Sequence, residues 1–514
     1  MRQSTRLIIN MLSTFASMAV MFVAGLLIVR YLVGTLGMAD YGLLTTIGGS
    51  AVLLNTLSGA LTGTSQRHLA VEIGRQDRGQ LQVVFNTSAV LFLVLGLLLL
   101  VGGLAIARWL LAALPIPPAR ADAAFWVYHL VLVSLVVSTV LTPFQALISA
   151  HEALVLLDGM QCLSALFHLL VVLLLAQVPG DKLIAYAMLL LPIQCLPPVA
   201  ATALCLIRYP DSRPRWGRFS IRTLGEVGSF AVWLSLHRLG LQLRLQGGLL
   251  LVYYFFGGVV SASYALALVL ARYRENLARG MLRPTAPALA ALVGRGDRDS
   301  FRRLALVANK YGAMGTLYFV VPIVLETELV FRLWLPTAVA PDPLLVRLIL
   351  IWMSIAVLTR GYGMAVVAMG RLARYSFPMA AMSFGSLALA ALWFYGFAAG
   401  PWALPATAIG ENIAKNVFIV SYVGRRIGTT FGQWWRGSVL PVLLVVILAG
   451  VPAWSLRLWM APGWHRLIGV VVLYGVLATV VAWTVALEGW EKAHLRRVLS
   501  TAFRIVLART SWVK

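Results

Sequence analysis

Charge is scarce in this sequence. Only 12% of its 514 residues are Asp, Glu, Lys or Arg, against about a quarter in a soluble domain. Acid is scarcer still: 18 Asp and Glu stand against 42 Lys and Arg, for a net charge of +24. Cysteine is almost missing. Cys162, Cys195 and Cys205 lie in apolar segments without the spacing of a metal site, and read as small core residues. No GxxxxGK[ST] loop occurs, which argues against a pump driven by ATP within one chain. The longest outward-facing connections, about 108–124 and 331–344, are short and hold no acid/base pair or nucleophile–histidine arrangement. His129, near one of them, stands alone inside an apolar run. The reading is a protein that is not an enzyme.

What is present is hydrophobic length. Sixty per cent of the residues are apolar and the mean hydropathy is +0.87. The runs are continuous, which excludes a transmembrane barrel. Many reach the ~18–20 residues needed to cross a bilayer. The chain therefore reads as an all-α polytopic membrane protein with about fourteen transmembrane helices. They lie near 8–30, 42–64, 83–107, 125–149, 154–177, 183–207, 226–256, 262–288, 304–330, 345–369, 376–399, 402–424, 437–459 and 466–488. The first run follows a basic start but is too long for a signal peptide and ends without an A-x-A site, so it is expected to stay as a span.

The cations sort by side. Arg2 and Arg6, then Arg67, Arg75 and Arg78, then the runs Arg208–Arg222 and Arg272–Arg303, fall on one face. So do Arg371, Arg374, Arg425, Arg426, Arg436 and the basic residues after 490. By the positive-inside rule that face is cytoplasmic and holds both termini. No nucleic-acid partner is needed to explain the charge. Residues 491–514 space Leu495, Val498, Leu499, Ala502, Phe503 and Val506 at helical intervals between arginines. They are expected to form a basic amphipathic cytoplasmic tail on the inner leaflet.

The chain also repeats itself. Tyr31, Gly34, Ala39 and Tyr41 match Tyr254, Gly257, Ala262 and Tyr264 at an offset of 223. "GRQDR" (74–78) matches "GRGDR" (294–298) at 220. Six helices separate the copies, so both have one orientation. That predicts a six-helix lobe over 1–222, a second over 223–428, two additional helices in 429–490, and the tail. A cavity between parallel lobes is a route for transport.

Within the spans the ionisable groups are mostly cations, each costing roughly 2.5–3.5 kcal/mol at the bilayer centre by insertion scales. Arg238 and Arg244 fall in the seventh span, Lys310 in the ninth, Arg360 in the tenth and Lys415 in the twelfth; Arg30 closes the first. The one acid placed well inside a span is Glu411, four residues before Lys415 and read as its helix partner. Ser235, Arg238, Gln242 and Gln246 make a polar stripe, with His237 and Arg244 on another face. Cations with few counter-charges suit a visiting anion, and guanidinium forks suit phosphate or pyrophosphate.

One stretch carries a family likeness. "RYLVGTLGMADYG" (30–42) resembles the R-x-L-G-x-x-x-Y-G segment joining the first two spans of polysaccharide exporters. These are the Wzx-type O-antigen and exopolysaccharide flippases, in one superfamily with the lipid II flippase and the MATE drug antiporters. "TPFQALISAHEALVLLDGMQCLSALF" (142–167) is similar to the same family's fourth-to-fifth span region. Either Gly34 or Gly37 stands where the family has its glycine. The resemblance implies a MATE-like fold and a flippase in the bacterial inner membrane. Its substrate would be an undecaprenyl-pyrophosphate-linked oligosaccharide, moved from inner to outer leaflet for O-antigen or exopolysaccharide synthesis, including lipopolysaccharide. Arg30 would then contact the pyrophosphate, alongside the cations above. Membrane lipids and other glycan-assembly membrane proteins are the implied partners. No cofactor is implied; H+ or Na+ coupling stays open, with Asp40 and Glu411 as candidates. The rival reading is a MATE-like or other secondary drug or solute antiporter.

Overall fold

The protein is described by a computed structural model over residues 3–54, 56–209, 213, 239–282, 285–336, 340–370, 373–493 and 496. Every regular element among them is helical. In hydrocarbon each backbone polar group must be satisfied within its own segment, and a helix does this. The order begins α1 (Gln3–Leu54), α2 (Thr56–Arg75), α3 (Arg78–Ala113), α4 (Ala121–Ala150), α5 (Leu154–Leu174) and α6 (Lys182–Arg208). A helix then runs from Leu239 through a π turn, Leu243–Gly247, into α7 (Gly248–Leu282). There follow α8 (Thr285–Arg295), α9 (Arg298–Leu325), α10 (Thr327–Trp334), α11 (Pro343–Ile355) and α12 (Arg360–Ala368). The chain continues with α13 (Ala373–Phe397), α14 (Ala403–Ile427), α15 (Phe431–Trp434), α16 (Leu440–Trp459) and α17 (Trp464–Val481).

Eleven stretches among the described residues are long and apolar enough to cross a membrane. Two of them, Ala16–Ser50 and Leu239–Leu282, have 35 and 44 residues. At 1.5 Å per residue they run roughly 50 and 65 Å, well past a core of about 30 Å. Each is broken by a glycine: Gly37 at φ 78°, ψ 171° and Gly257 at φ 76°, ψ −175°. Only glycine adopts that backbone cheaply, so each long stretch holds two expected segments. α14 is not among the eleven, because Glu411, Asn412, Lys415 and Asn416 dilute its middle. The segment expected at 226–256 is described only from Leu239 onward.

The glycine breaks stand 220 residues apart. So do the helix-capping Asp77 and Asp297, which accept from the N–H groups of Gln80 and Ser300, and the left-handed Gln76 and Gly296. The repeat thus runs at 220. The offset of 223 that paired Gly34 with Gly257 is corrected: Gly34 is helical, and Gly37 is the counterpart.

The chain forms two compact units. The first holds 1–269, 334–349 and 371–411. Its core joins Leu69, Phe85, Phe144, Leu147, Ile148 and Cys205, with Phe85 and Phe144 edge to face at 5.3 Å. Here the two broken helices meet. A Cβ on Gly42 would lie 1.9 Å from the Gly258 carbonyl oxygen, so this approach admits no side chain. Beside it the hydroxyls of Thr46 and Ser261 hydrogen-bond at 2.7 Å, and the Asp342 N–H donates to Ser263 Oγ.

The second unit holds 270–333, 350–370 and 412–514. In it α9, α16 and α17 pack through Ala313, Val321, Val442, Val445, Ala449, Ala453, Val470 and Ala478. Small side chains let membrane helices approach closely where burying apolar surface gives no drive. Val472, Val476 and Val480 of α17 are left exposed, as is normal on a face that meets lipid. The expected tail lies outside the described residues, save Glu491–Ala493 and Arg496.

Candidate functional site

Among the described residues of the first unit, the most deeply buried charge is Arg244, 1% exposed. Its Nε lies 3.0 Å from Glu411 Oε2, and its Nη2 donates to the Leu404 carbonyl at 2.6 Å. Ser383 Oγ donates to Glu411 Oε1 at 2.8 Å. Both side chains of the pair are almost fully enclosed. The π turn explains how Arg244 arrived there. One extra residue in a turn rotates the helix beyond it, and such turns recur at functional sites. Arg244 and Gln246, expected on different faces, are therefore both buried within Leu243–Gly247. Gln242 stays half-buried. Ser235, His237 and Arg238 lie outside the described residues.

Arg30 is half-buried at the end of the first pass. Its guanidinium donates to the Trp334 carbonyl, while the Trp334 indole N–H donates back to the Leu26 carbonyl at 2.9 Å. Asp40, just after the Gly37 break, meets Arg120 at 2.7 Å. Arg120 also grips Asp181 at 2.6 Å, and Asp181 caps α6 by accepting from the N–H of Leu183. This places Asp40 in a bridge between three connections.

Among its described residues the second unit holds three further buried or half-buried charge clusters. Lys310 Nζ meets Glu491 Oε2 at 2.5 Å, with side chains 3% and 1% exposed, and also donates to the Ala486 carbonyl. Glu326 is buried and takes Arg466 at 2.8 Å and Arg457 at 3.5 Å. Arg360 forks onto Glu275 with bonds of 2.8 and 2.6 Å. Arg274 and Arg279 approach the same carboxylate at 3.4 and 3.5 Å. Lys415, on α14, is half-buried.

These clusters supply the counter-charges that the sequence reading had counted as few. Arg244, Lys310 and Arg360 each face a carboxylate, since an unpaired charge in low dielectric is too costly to keep. The partners missed by sequence reasoning were Glu275, Glu326 and Glu491. Glu275 sits within the arginine-rich run after Tyr273, Glu326 at a helix end, and Glu491 in what read as tail. No local signal ties Lys310 to a residue 181 positions away. Arg120 and Asp181 were likewise missed. Among the described residues no group of three or more His, Cys, Asp and Glu could hold a metal ion.

No family model matches the sequence, and no curated protein matches it. Solved structures do. The lipid II flippase MurJ, in an inward closed conformation, aligns at a TM-score of 0.66 with 11% identity, covering 92% of this chain and 99% of its own. An inward-facing multidrug resistance MATE family transporter of the MOP superfamily aligns at 0.63 and 14%, covering 79% and 94%. The chain shares the fold of these two proteins. A MOP superfamily transporter from Pyrococcus furiosus, reported with a binding pocket of reversed polarity, aligns at 0.59 and 16%, covering 82% and 95%. At these identities the fold is shared, while the charged side chains described above are this chain's own.

Proposed function

We propose that the chain is a flippase for a lipid-linked oligosaccharide in the bacterial inner membrane. The substrate is an undecaprenyl-pyrophosphate-linked repeat unit carried from the inner to the outer leaflet for O-antigen or exopolysaccharide synthesis. The observation that carries this reading is the extent of the fold match: the lipid II flippase accounts for 92% of the chain, and the MATE structures for 79–82%. The three arginines that share the single carboxylate of Glu275 support it, because a pyrophosphate is the polar part of such a lipid. The head group passes through a hydrated path while the lipid tail stays in the bilayer. The work is alternation between inward- and outward-open states, with no covalent step. Membrane lipids and other glycan-assembly proteins are the partners, and both termini stay cytoplasmic.

A MATE-like antiporter is the second reading, drawing on the buried carboxylate of Glu411 and on Asp40 as ion sites. Liposomes that hold a fluorescent short-chain polyprenyl-pyrophosphate oligosaccharide decide between them. Wild type is expected to move the lipid across the bilayer, and Arg238→Ala and Arg360→Gln to move it at least tenfold more slowly. Transport of cationic dyes under an ion gradient, with no movement of the glycolipid, would replace the flippase with the antiporter.

A further inference from the structure

The charge clusters differ in balance. Arg244 with Glu411 and Lys310 with Glu491 are one-to-one and closed to solvent. Around Glu275 the ratio is three to one: Arg274, Arg279 and Arg360 share a single carboxylate. Arg274 is held rigidly, its side chain 3% exposed and its Nη1 donating to the Met353 carbonyl at 2.6 Å. Arg360 is 21% exposed, Glu275 30% and Arg279 60%. The cluster is thus built on one side, open on the other, and carries a surplus of two positive charges. Its place fits a point of entry. Arg274 lies 17 residues beyond the Gly257 break, roughly 25 Å along the helix, within the Arg272–Arg303 run assigned to the cytoplasmic face.

We infer that Arg274, Arg279 and Arg360 form a receiving site for a diphosphate, and that Glu275 is a built-in placeholder which the ligand displaces. The carboxylate fills the Arg360 fork as one phosphate group would. A diphosphate offers more oxygens and more charge than one carboxylate, so it satisfies all three guanidinium groups where Glu275 satisfies one fully. Glu275, partly exposed, has water to turn to when it leaves. The placeholder keeps the cations from being stranded when no ligand is present, at the cost of weaker binding. This rests on the reading of a pyrophosphate-bearing substrate and names the first residues that it meets.

The test uses full-length protein in nanodiscs titrated with inorganic pyrophosphate, with sulfate as a control anion. If Glu275 holds the site about nine-tenths of the time, Glu275→Gln binds pyrophosphate about tenfold tighter than wild type, since apparent affinity scales with the fraction of competent sites. Arg279→Gln and Arg360→Gln bind it several-fold more weakly. Glu275→Gln binding no tighter would overturn the placeholder. Arg279, at an exposed position, tests the site even where Glu275→Gln folds poorly, and unchanged affinity there would overturn the site. Failure of the two proposals is separable. Pyrophosphate binding that responds as expected without glycolipid movement keeps this site and removes the flippase. Glycolipid movement with binding indifferent to both Glu275→Gln and Arg279→Gln does the reverse.

Discussion

A lone buried charge and a buried pair respond to mutation in opposite ways. Glu411→Leu leaves Arg244 enclosed without its carboxylate, and loss of one partner of such a pair costs about 3–5 kcal/mol. Arg244→Met strands Glu411 equally. Replacing both with apolar residues removes the desolvation cost along with the attraction, and is often neutral. Reversible unfolding in mixed micelles is expected to show two unstable single variants and a double variant close to wild type. A double variant as unstable as either single would mean that Arg244 is held chiefly by the Leu404 carbonyl and by the Thr407 hydroxyl, 3.5 Å from its Nη2. The same double variant reports on coupling: glycolipid movement that persists without Glu411 removes it as an ion site.

At the scale of elements, the crossing of Gly42 over Gly258 joins the two broken helices of the repeat. If transport requires these helices to part, tying them should stop it. Thr46→Cys with Ser261→Cys places two thiols where hydroxyls lie 2.7 Å apart. A disulfide is expected under mild oxidation in membranes, with glycolipid movement lost on cross-linking and restored by a reductant. Transport by the cross-linked protein would show that this crossing stays closed throughout the cycle. The helices themselves were legible in the sequence because hydrophobic run length dictates them. Register was harder: Gly34 and Gly37 are both glycines, and only backbone geometry shows which one breaks the helix. The π turn at Leu243–Gly247 was not legible, since an extra residue in a helix leaves no mark in a 3.6-residue period. It moved Arg244 and Gln246 into one interior. The ion pairs were least legible of all. Arg360 finds Glu275 across 85 positions and Arg466 finds Glu326 across 140, distances at which composition reports scarcity of acid but not its placement.

For the whole molecule, the distribution of basic residues sets a testable orientation. In a background lacking Cys162, Cys195 and Cys205, single cysteines at the exposed Gln177 and Gly432 should label from opposite sides. Gln177, just after α5, is expected to react in intact cells with an impermeant maleimide. Gly432, shortly after Arg425 and Arg426, should react only after the membrane is opened. Labelling of both from one side would invert part of the map. The pairing of Lys310 with Glu491 also reaches into how the protein is made. At ~5–20 residues per second, the ribosome delivers Glu491 some 10–40 seconds after Lys310 has entered the membrane. For that interval α9 carries a cation in hydrocarbon with no carboxylate to meet it. Insertion must therefore tolerate a half-finished bundle, and α9 gains its full anchorage only when Glu491 arrives. A chain cut short before Glu491 would leave Lys310 buried without its carboxylate, and is expected to be cleared faster than the full chain.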